Sequence, residues 1–229
     1  MLGFICAMEL EAKELKAMMK NKRTTTISNI EFTRGKLLDK DAVIAVCGVG
    51  KVFASMCAQA MIMKYSPELI INIGVAGALK PEANQGDIVI GANVLQHDFD
   101  LTPLGNLRGQ ISGLSKINFK CVQSAITPLR EICKAMGIKE HRGPVASGDQ
   151  FIGNKAKKED IYNWFGAVCC DMEAGAIGQV CFVNGIPMMS VKAISDKADG
   201  KAPESFEEYA EKGAKLVTDV ICKYIQENL

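Results

Sequence analysis

The chain has 229 residues, and 27 basic against 26 acidic side chains leave a formal charge of +1 with both histidines neutral. That balance excludes the broad basic footprint by which nucleic acid or an anionic membrane is held. With 48% hydrophobic and 23% charged residues the composition is that of a globular protein, and the length predicts one domain over residues 1–229.

Leu2 to Met8 is an apolar run that feeds a helical pattern from Glu9 to Lys20, with Leu10, Leu15, Met18 and Met19 on one side. Ile30 to Leu38 alternates as a strand. Leu38-Asp39-Lys40-Asp41 is a turn, and Ala42 to Cys47 is a buried strand broken by Gly48-Val49-Gly50. Lys51 to Tyr65 is helical, and Glu68 to Ile73 is a strand ended by Gly74-Val75-Ala76-Gly77. Asp87 to Leu95 is β-rich. Leu101 to Lys116 is polar and glycine-rich and predicts a long surface loop. Phe119 to Met136 is mostly helical with a break or restart at Pro128. Val145 leads to Ser147-Gly148-Asp149, Lys155 to Trp164 is helical, and Ala167 to Cys170 is a short strand. Glu173 to Asn184 is helix, Pro187 to Ile194 strand, and Glu204 to Asn228 a closing helix. Strands alternating with helices along the whole length predict an α/β domain around a parallel or mixed sheet.

Nine cysteines, an odd number without a C-x-x-C pair, predict buried thiols in a reducing cytoplasm. With only two histidines beside them, no metal site is expected. The N-terminal apolar run lacks a basic leader and predicts no secretory signal. No apolar run approaches the about 20 residues of a membrane span.

In open α/β sheets ligands bind at the carboxyl ends of the strands. The polar clusters Glu9 and Glu11, Gly48 to Gly50, Gly74 to Gly77, Ser147 to Ile152, Met172-Glu173 and Ser195-Asp196 all fall at such ends. Singly, each has a bland explanation: an acid favours the first turn of a helix, and glycines make tight turns. Gly50-Lys51 suggests a phosphate-binding loop, but Ala45 stands where that motif needs glycine and Val52 where it needs a hydroxyl. The dinucleotide pattern fails at Phe53. Glu173 and Asp196 are carboxyls flanked by apolar residues, so they either cap helices or stay protonated near neutral pH and donate to a leaving group.

The stretches Cys6-Ala7-Met8-Glu9-Leu10-Glu11, Gly48-Val49-Gly50-Lys51-Val52, Asn72-Ile73-Gly74-Val75-Ala76-Gly77, His97-Asp98-Phe99-Asp100, Ser147-Gly148-Asp149-Gln150-Phe151-Ile152, Asp171-Met172-Glu173-Ala174 and Ala193-Ile194-Ser195-Asp196 occur in this order. Together they resemble the bacterial 5′-methylthioadenosine/S-adenosylhomocysteine nucleosidases, members of the purine nucleoside phosphorylase and uridine phosphorylase superfamily. The resemblance implies a three-layer α/β/α sandwich around a mixed, barrel-like sheet. It also implies hydrolysis of a nucleoside substrate with release of adenine and without a cofactor. Asp196 is then the general acid at adenine N7, Glu11 the carboxylate that binds the attacking water, and Glu173 the acceptor for the ribose hydroxyls. Met172 would lie under the ribose, Phe151 would stack on the purine, and the Ile152 backbone would read the adenine edge. Met8, Val49 and Phe206 would line the sugar and its 5′ substituent, with Val75, Ala76, Gly77, Lys192 and Ser195 completing the pocket. Leu101 and Leu104 would reach across a homodimer.

Two positions depart from the family pattern. Lys192 stands where arginine is usual, and lysine lacks the guanidinium fork. Val75 stands where serine is usual, which removes a hydroxyl near Asp196. The stretch Ile70 to Val75 also lacks the arginine and hydroxyl with which phosphorylases of the superfamily hold phosphate, so water is the expected nucleophile. Alternatives are an aminodeoxyfutalosine nucleosidase, a phosphate-dependent purine nucleoside phosphorylase, or a nucleoside-binding protein without turnover.

Overall fold

A computed structural model describes residues 1–229. In chain order the elements are β1 (Leu2–Cys6), α1 (Glu9–Met18), β2 (Lys20–Ile27), β3 (Ile30–Leu37), β4 (Lys40–Val46), α2 (Lys51–Tyr65), β5 (Leu69–Ala78) and β6 (Ile88–Gln96). They continue with β7 (Phe119–Lys120), α3 (Ile126–Ala135), β8 (Glu140–Ser147), α4 (Lys155–Phe165), β9 (Cys169–Asp171), α5 (Ala174–Asn184), β10 (Met188–Asp196) and α6 (Ala202–Asn228).

The strands form one mixed sheet. β5 pairs in parallel with β1 and β10 and antiparallel with β9. β6 pairs in parallel with β8 and antiparallel with β10, and β8 pairs in parallel with β9. β5, β10, β6, β8 and β9 therefore close on themselves as a barrel, and β1, β4, β3 and β2 extend it as an open wing.

The alternation of strand side chains sorts the core into two faces. Phe4, Ile71 and Val191 face α1, α3 and α6, where Leu15, Leu129 and Ile221 meet them. Their neighbours Ile5, Ile70 and Val89 face the opposite way, toward Cys57 and Met61 of α2 and Ile177 of α5. The result is the expected three-layer α/β/α sandwich. β1 and β5 are largely apolar, and β10 is buried along its whole length, because helices cover both their faces.

Three elements differ from the sequence reading. β2 was not anticipated: Lys-Asn-Lys-Arg-Thr-Thr-Thr-Ile is almost wholly exposed, so no hydrophobic alternation marks it, and its charges suit an edge strand. β5 does not stop at Gly74 but runs through to Ala78, its glycines taken up in the strand. The helix expected from Phe119 begins only at Ile126, and Pro128 sits in its first turn, where a missing N–H costs nothing. The Leu101 to Lys116 segment is a loop as expected, though Thr102–Leu104 makes a short 3-10 turn and Ile111 is buried. None of the cysteines is paired; all are buried except the half-buried Cys222. No helix is long and apolar enough to cross a membrane.

Candidate active site

The carboxyl ends of the parallel strands surround a cavity of about 260 Å³. Asp196, the last residue of β10, reaches it through a bulge. The β10–β5 register slips between Ile194 and Asp196, which sets Asp196 opposite Gly77. A Cβ on Gly77 would lie 2.9 Å from Asp196 Oδ1, so glycine is what lets the carboxyl occupy this place. The Ala198 N–H donates to Oδ1 at 2.8 Å, and Ser195 Oγ donates to Oδ2 at 2.8 Å. The hydroxyl donor to Asp196 is thus its own neighbour Ser195, and Val75 offers none. Burial raises the Asp196 pKa against these two donors, which favours a carboxyl that carries a proton.

Glu11 enters from the first turn of α1. Its Oε2 accepts the N–H groups of Ala7 (2.8 Å) and Met8 (3.0 Å), the acidic half of a capping box, and its Oε1 accepts the Val75 N–H at 3.0 Å. The carboxylate lies directly over Gly74, where a Cβ would come within 2.3 Å of Oε1. Burial raises its pKa, opposed by Lys192 and the three backbone donors.

Glu173 immediately precedes α5, and its Oε1 accepts the Gly50 N–H at 2.8 Å. Burial, reinforced by nearby Asp171, pushes its pKa up to about 7, against the pull of Lys192 and the Gly50 N–H. The helix behind it is fastened by two side chains. Asp171 Oδ2 accepts the Ala174 N–H at 3.0 Å, and Ser147 Oγ accepts the Gly175 N–H at 2.6 Å while donating to Asp171 Oδ1 at 2.5 Å. Lys192 is fully buried and pairs with Asp171 Oδ2 at 2.8 Å. Burial opposes its charge, but Asp171, Glu173 and Glu11 together outweigh that cost and raise its pKa.

Apolar walls complete the cavity. Met8, Val49, Val75, Ala76, Gly77, Phe151, Ile152, Met172, Ser195 and Phe206 line it alongside Glu11, Glu173 and Asp196. Phe206 in the first turns of α6 meets Phe151 edge to face, with centroids 5.8 Å apart, so the two rings close one side. One residue expected in the pocket lies elsewhere. Lys192 stands behind the wall, because a buried ammonium must be neutralised and Asp171 holds it there. Leu101 and Leu104 are in the surface loop, Leu104 76% exposed. Phe99 of the same region is half-buried against the core. Ala7, Gln150, Cys170 and Asp171 also line the cavity and were not singled out as site residues; Asp171 was legible as an acid beside Met172-Glu173 at a strand end. No group of three or more His, Cys, Asp or Glu side chains is arranged to hold a metal ion.

A barrel-like mixed sheet with carboxyls and apolar rings at its strand ends defines a nucleoside-handling protein of the phosphorylase superfamily, whose family model matches residues 1–226. The chain is 36% identical over 222 residues to the 5′-methylthioadenosine/S-adenosylhomocysteine nucleosidase of Staphylococcus haemolyticus, covering 96% of this chain and 97% of that one. The nucleosidase of the same name from Neisseria meningitidis, solved in complex with methylthio-immucillin-A, superposes with a TM-score of 0.94 at 30% identity over 98% of both chains. A futalosine hydrolase of Helicobacter pylori superposes with a TM-score of 0.94 at 27% identity, over 99% of this chain and 97% of that one. The chain belongs to the 5′-methylthioadenosine/S-adenosylhomocysteine nucleosidase family.

Proposed function

We propose that this protein hydrolyses the N-glycosidic bond of 5′-methylthioadenosine and S-adenosylhomocysteine and releases adenine. The observation that carries the reading is the convergence of Asp196, Glu11 and Glu173 on one apolar-walled cavity. An N-glycosidic bond breaks through a cationic, oxocarbenium-like sugar. Asp196, whose protonated form burial favours, gives its proton to N7, so the base leaves neutral rather than as an anion. Glu11 takes the proton of the attacking water, and its charge stabilises the developing cation. Glu173 accepts from the ribose hydroxyls, above Met172. Phe151 stacks on the purine and Ile152 reads its edge. Met8, Val49 and Phe206 take the apolar 5′ substituent.

Water is the better nucleophile here. The cavity wall carries acids and no arginine or lysine, and the nearest buried cation, Lys192, is bonded to Asp171. Phosphate would meet like charge without charge-assisted donors. The unpaired cysteines fit a reducing compartment, the cytoplasm.

The exposed apolar surface supports a homodimer. Val52 is 70% exposed, and Phe53, Met56 and Leu104 are also open to solvent. In this arrangement Leu101 and Leu104 approach the partner's 5′ end.

Adenine formation, followed by absorbance with and without phosphate, tests the proposal. Turnover without phosphate is expected, as is a loss of about 10²- to 10⁴-fold in kcat in Asp196→Asn. Strict phosphate dependence indicates a phosphorylase, and tight binding without product a nucleoside-binding protein; either result overturns the proposal. The similarity to the Helicobacter pylori futalosine hydrolase supports a second reading, an aminodeoxyfutalosine substrate. A panel of 5′ substituents compared by kcat/KM separates the two.

A further inference from the structure

Two sequence motifs have no part in the reaction above: Lys51 after Gly48-Val49-Gly50, and Asp98 after His97. The structure joins them. Lys51 Nζ lies 2.6 Å from Asp98 Oδ1 and 3.1 Å from Gln96 Oε1. Their side chains are only 17% and 19% exposed. The Asp149 N–H donates to Asp98 Oδ2 at 2.9 Å, and Asp149 Oδ1 accepts the Lys51 backbone N–H at 2.8 Å. The three residues close a ring: Lys51 side chain to Asp98, Asp98 to the Asp149 backbone, Asp149 side chain back to the Lys51 backbone. Each member comes from a different segment, at the start of α2, after β6 and after β8.

The ring does for α2 what its own N-cap cannot. That position is Gly50, which has no side chain to satisfy the orphan N–H groups of the first turn, so Asp149 caps the helix from another loop. Gly50 is at φ 103°, and a Cβ there would lie 3.2 Å from Asp149 Oδ1, so the close fit requires glycine. The N–H of this same Gly50 makes the one hydrogen bond the Glu173 carboxylate receives within the chain.

We propose that Lys51, Asp98 and Asp149 are positioning residues for Glu173, their ring holding the Gly50 N–H against the carboxylate at the sugar end of the cavity. The inference rests on the reading of Glu173 as the ribose acceptor. Glu173 is faced by Glu11 on α1, Asp171 on β9, Lys192 on β10 and the Cys47 thiol after β4. Lys51 and Asp98 therefore act on it through the backbone.

Carboxyl 13C NMR of the full chain labelled in its glutamates, without substrate, reads Glu173 directly; Glu173→Gln assigns the signal. The Gly50 N–H favours the charged form, so losing it raises the midpoint. Lys51→Met and the near-isosteric Asp98→Asn are each expected to raise it, by about half a pH unit. A bare charge effect predicts opposite directions, upward for Lys51→Met and downward for Asp98→Asn. Opposite shifts, or an unchanged midpoint in Asp98→Asn, overturn the proposal, and Asp98→Asn alone decides if Lys51→Met does not fold. Both variants are also expected to lose about tenfold in kcat/KM for 5′-methylthioadenosine, through KM. If the parent chain releases no adenine, the functional reading fails while the NMR result still decides whether the ring positions Glu173.

Discussion

Of the four acids that line the cavity, Asp171 is paired with Lys192, and the chain holds the other three carboxyls by different means. Glu11 takes three backbone N–H groups, Asp196 one backbone N–H and one hydroxyl, and Glu173 a single backbone N–H. Glu173, the least compensated, has a pKa of about 7 in place of the usual 4.5. The sign of its effect on stability follows from linkage. Below pH 4.5 the group is protonated in both folded and unfolded chains and costs nothing. Between 4.5 and 7 the unfolded chain releases the proton first, so stability falls with rising pH, and above 7 the loss is complete. Glu173→Gln removes this loss. The variant is expected to match the parent near pH 4.5 and to exceed it at pH 8 by on the order of 3 kcal/mol, at about 1.4 kcal/mol for each unit of pKa. Thermal unfolding checks this, at roughly 2–4 °C for each kcal/mol in a chain of this size. A Tm difference independent of pH rules out the raised carboxyl. Much of this was legible in the sequence, because acids at the ends of apolar strands have few reasons to be there. The partners were not: that Lys192 is neutralised by Asp171 depends on β9 and β10 flanking β5 on its two sides, a pairing of side chains that local spacing does not encode.

At the scale of elements, glycines decide how closely the layers approach. α5 lies directly on β6: a Cβ on Gly175 would come within 2.3 Å of the Leu95 carbonyl oxygen, and one on Gly178 within 2.2 Å of Val94 Cγ2. Read as sequence, Gly74 and Gly77 end a strand. In the fold they continue it, with the space of their missing side chains occupied by Glu11 and Asp196. Chain-local rules treat glycine as punctuation and cannot foresee a residue distant in sequence filling the gap. β2 was hidden for the opposite reason, since an exposed edge strand needs no apolar face. Gly175→Ala tests the close approach. Leu95 O is backbone and cannot swing aside, so α5 must shift. The expected cost is about 1–3 kcal/mol, a Tm lower by several degrees, together with a raised KM as Glu173 moves with the helix. An unchanged Tm means that α5 and β6 are not in contact at Gly175.

For the whole molecule, Val49 lines the cavity two residues before the Lys51 of the Lys51–Asp98 ring, and Asp98 leads into the loop bearing Leu101 and Leu104. The exposed apolar residues of α2 begin at the same place, with Val52 70% and Phe53 50% exposed. Exposed apolar residues beside the cavity are costly in a free monomer and useful when a second copy covers them. If the copies meet on this face, assembly and substrate affinity are linked. Val52→Asp places a charge on the surface without touching the core, so the fold should keep its Tm while the dimer comes apart. Light scattering after gel filtration is expected to read a dimer for the parent and a monomer for the variant. In the same variant KM for 5′-methylthioadenosine should rise, since the 5′ end loses its cover, while affinity for free adenine, which reaches only the Phe151 and Asp196 end, should stay as in the parent. A parent that remains monomeric removes the dimer, and a monomeric variant with unaltered KM places the loop away from the 5′ end.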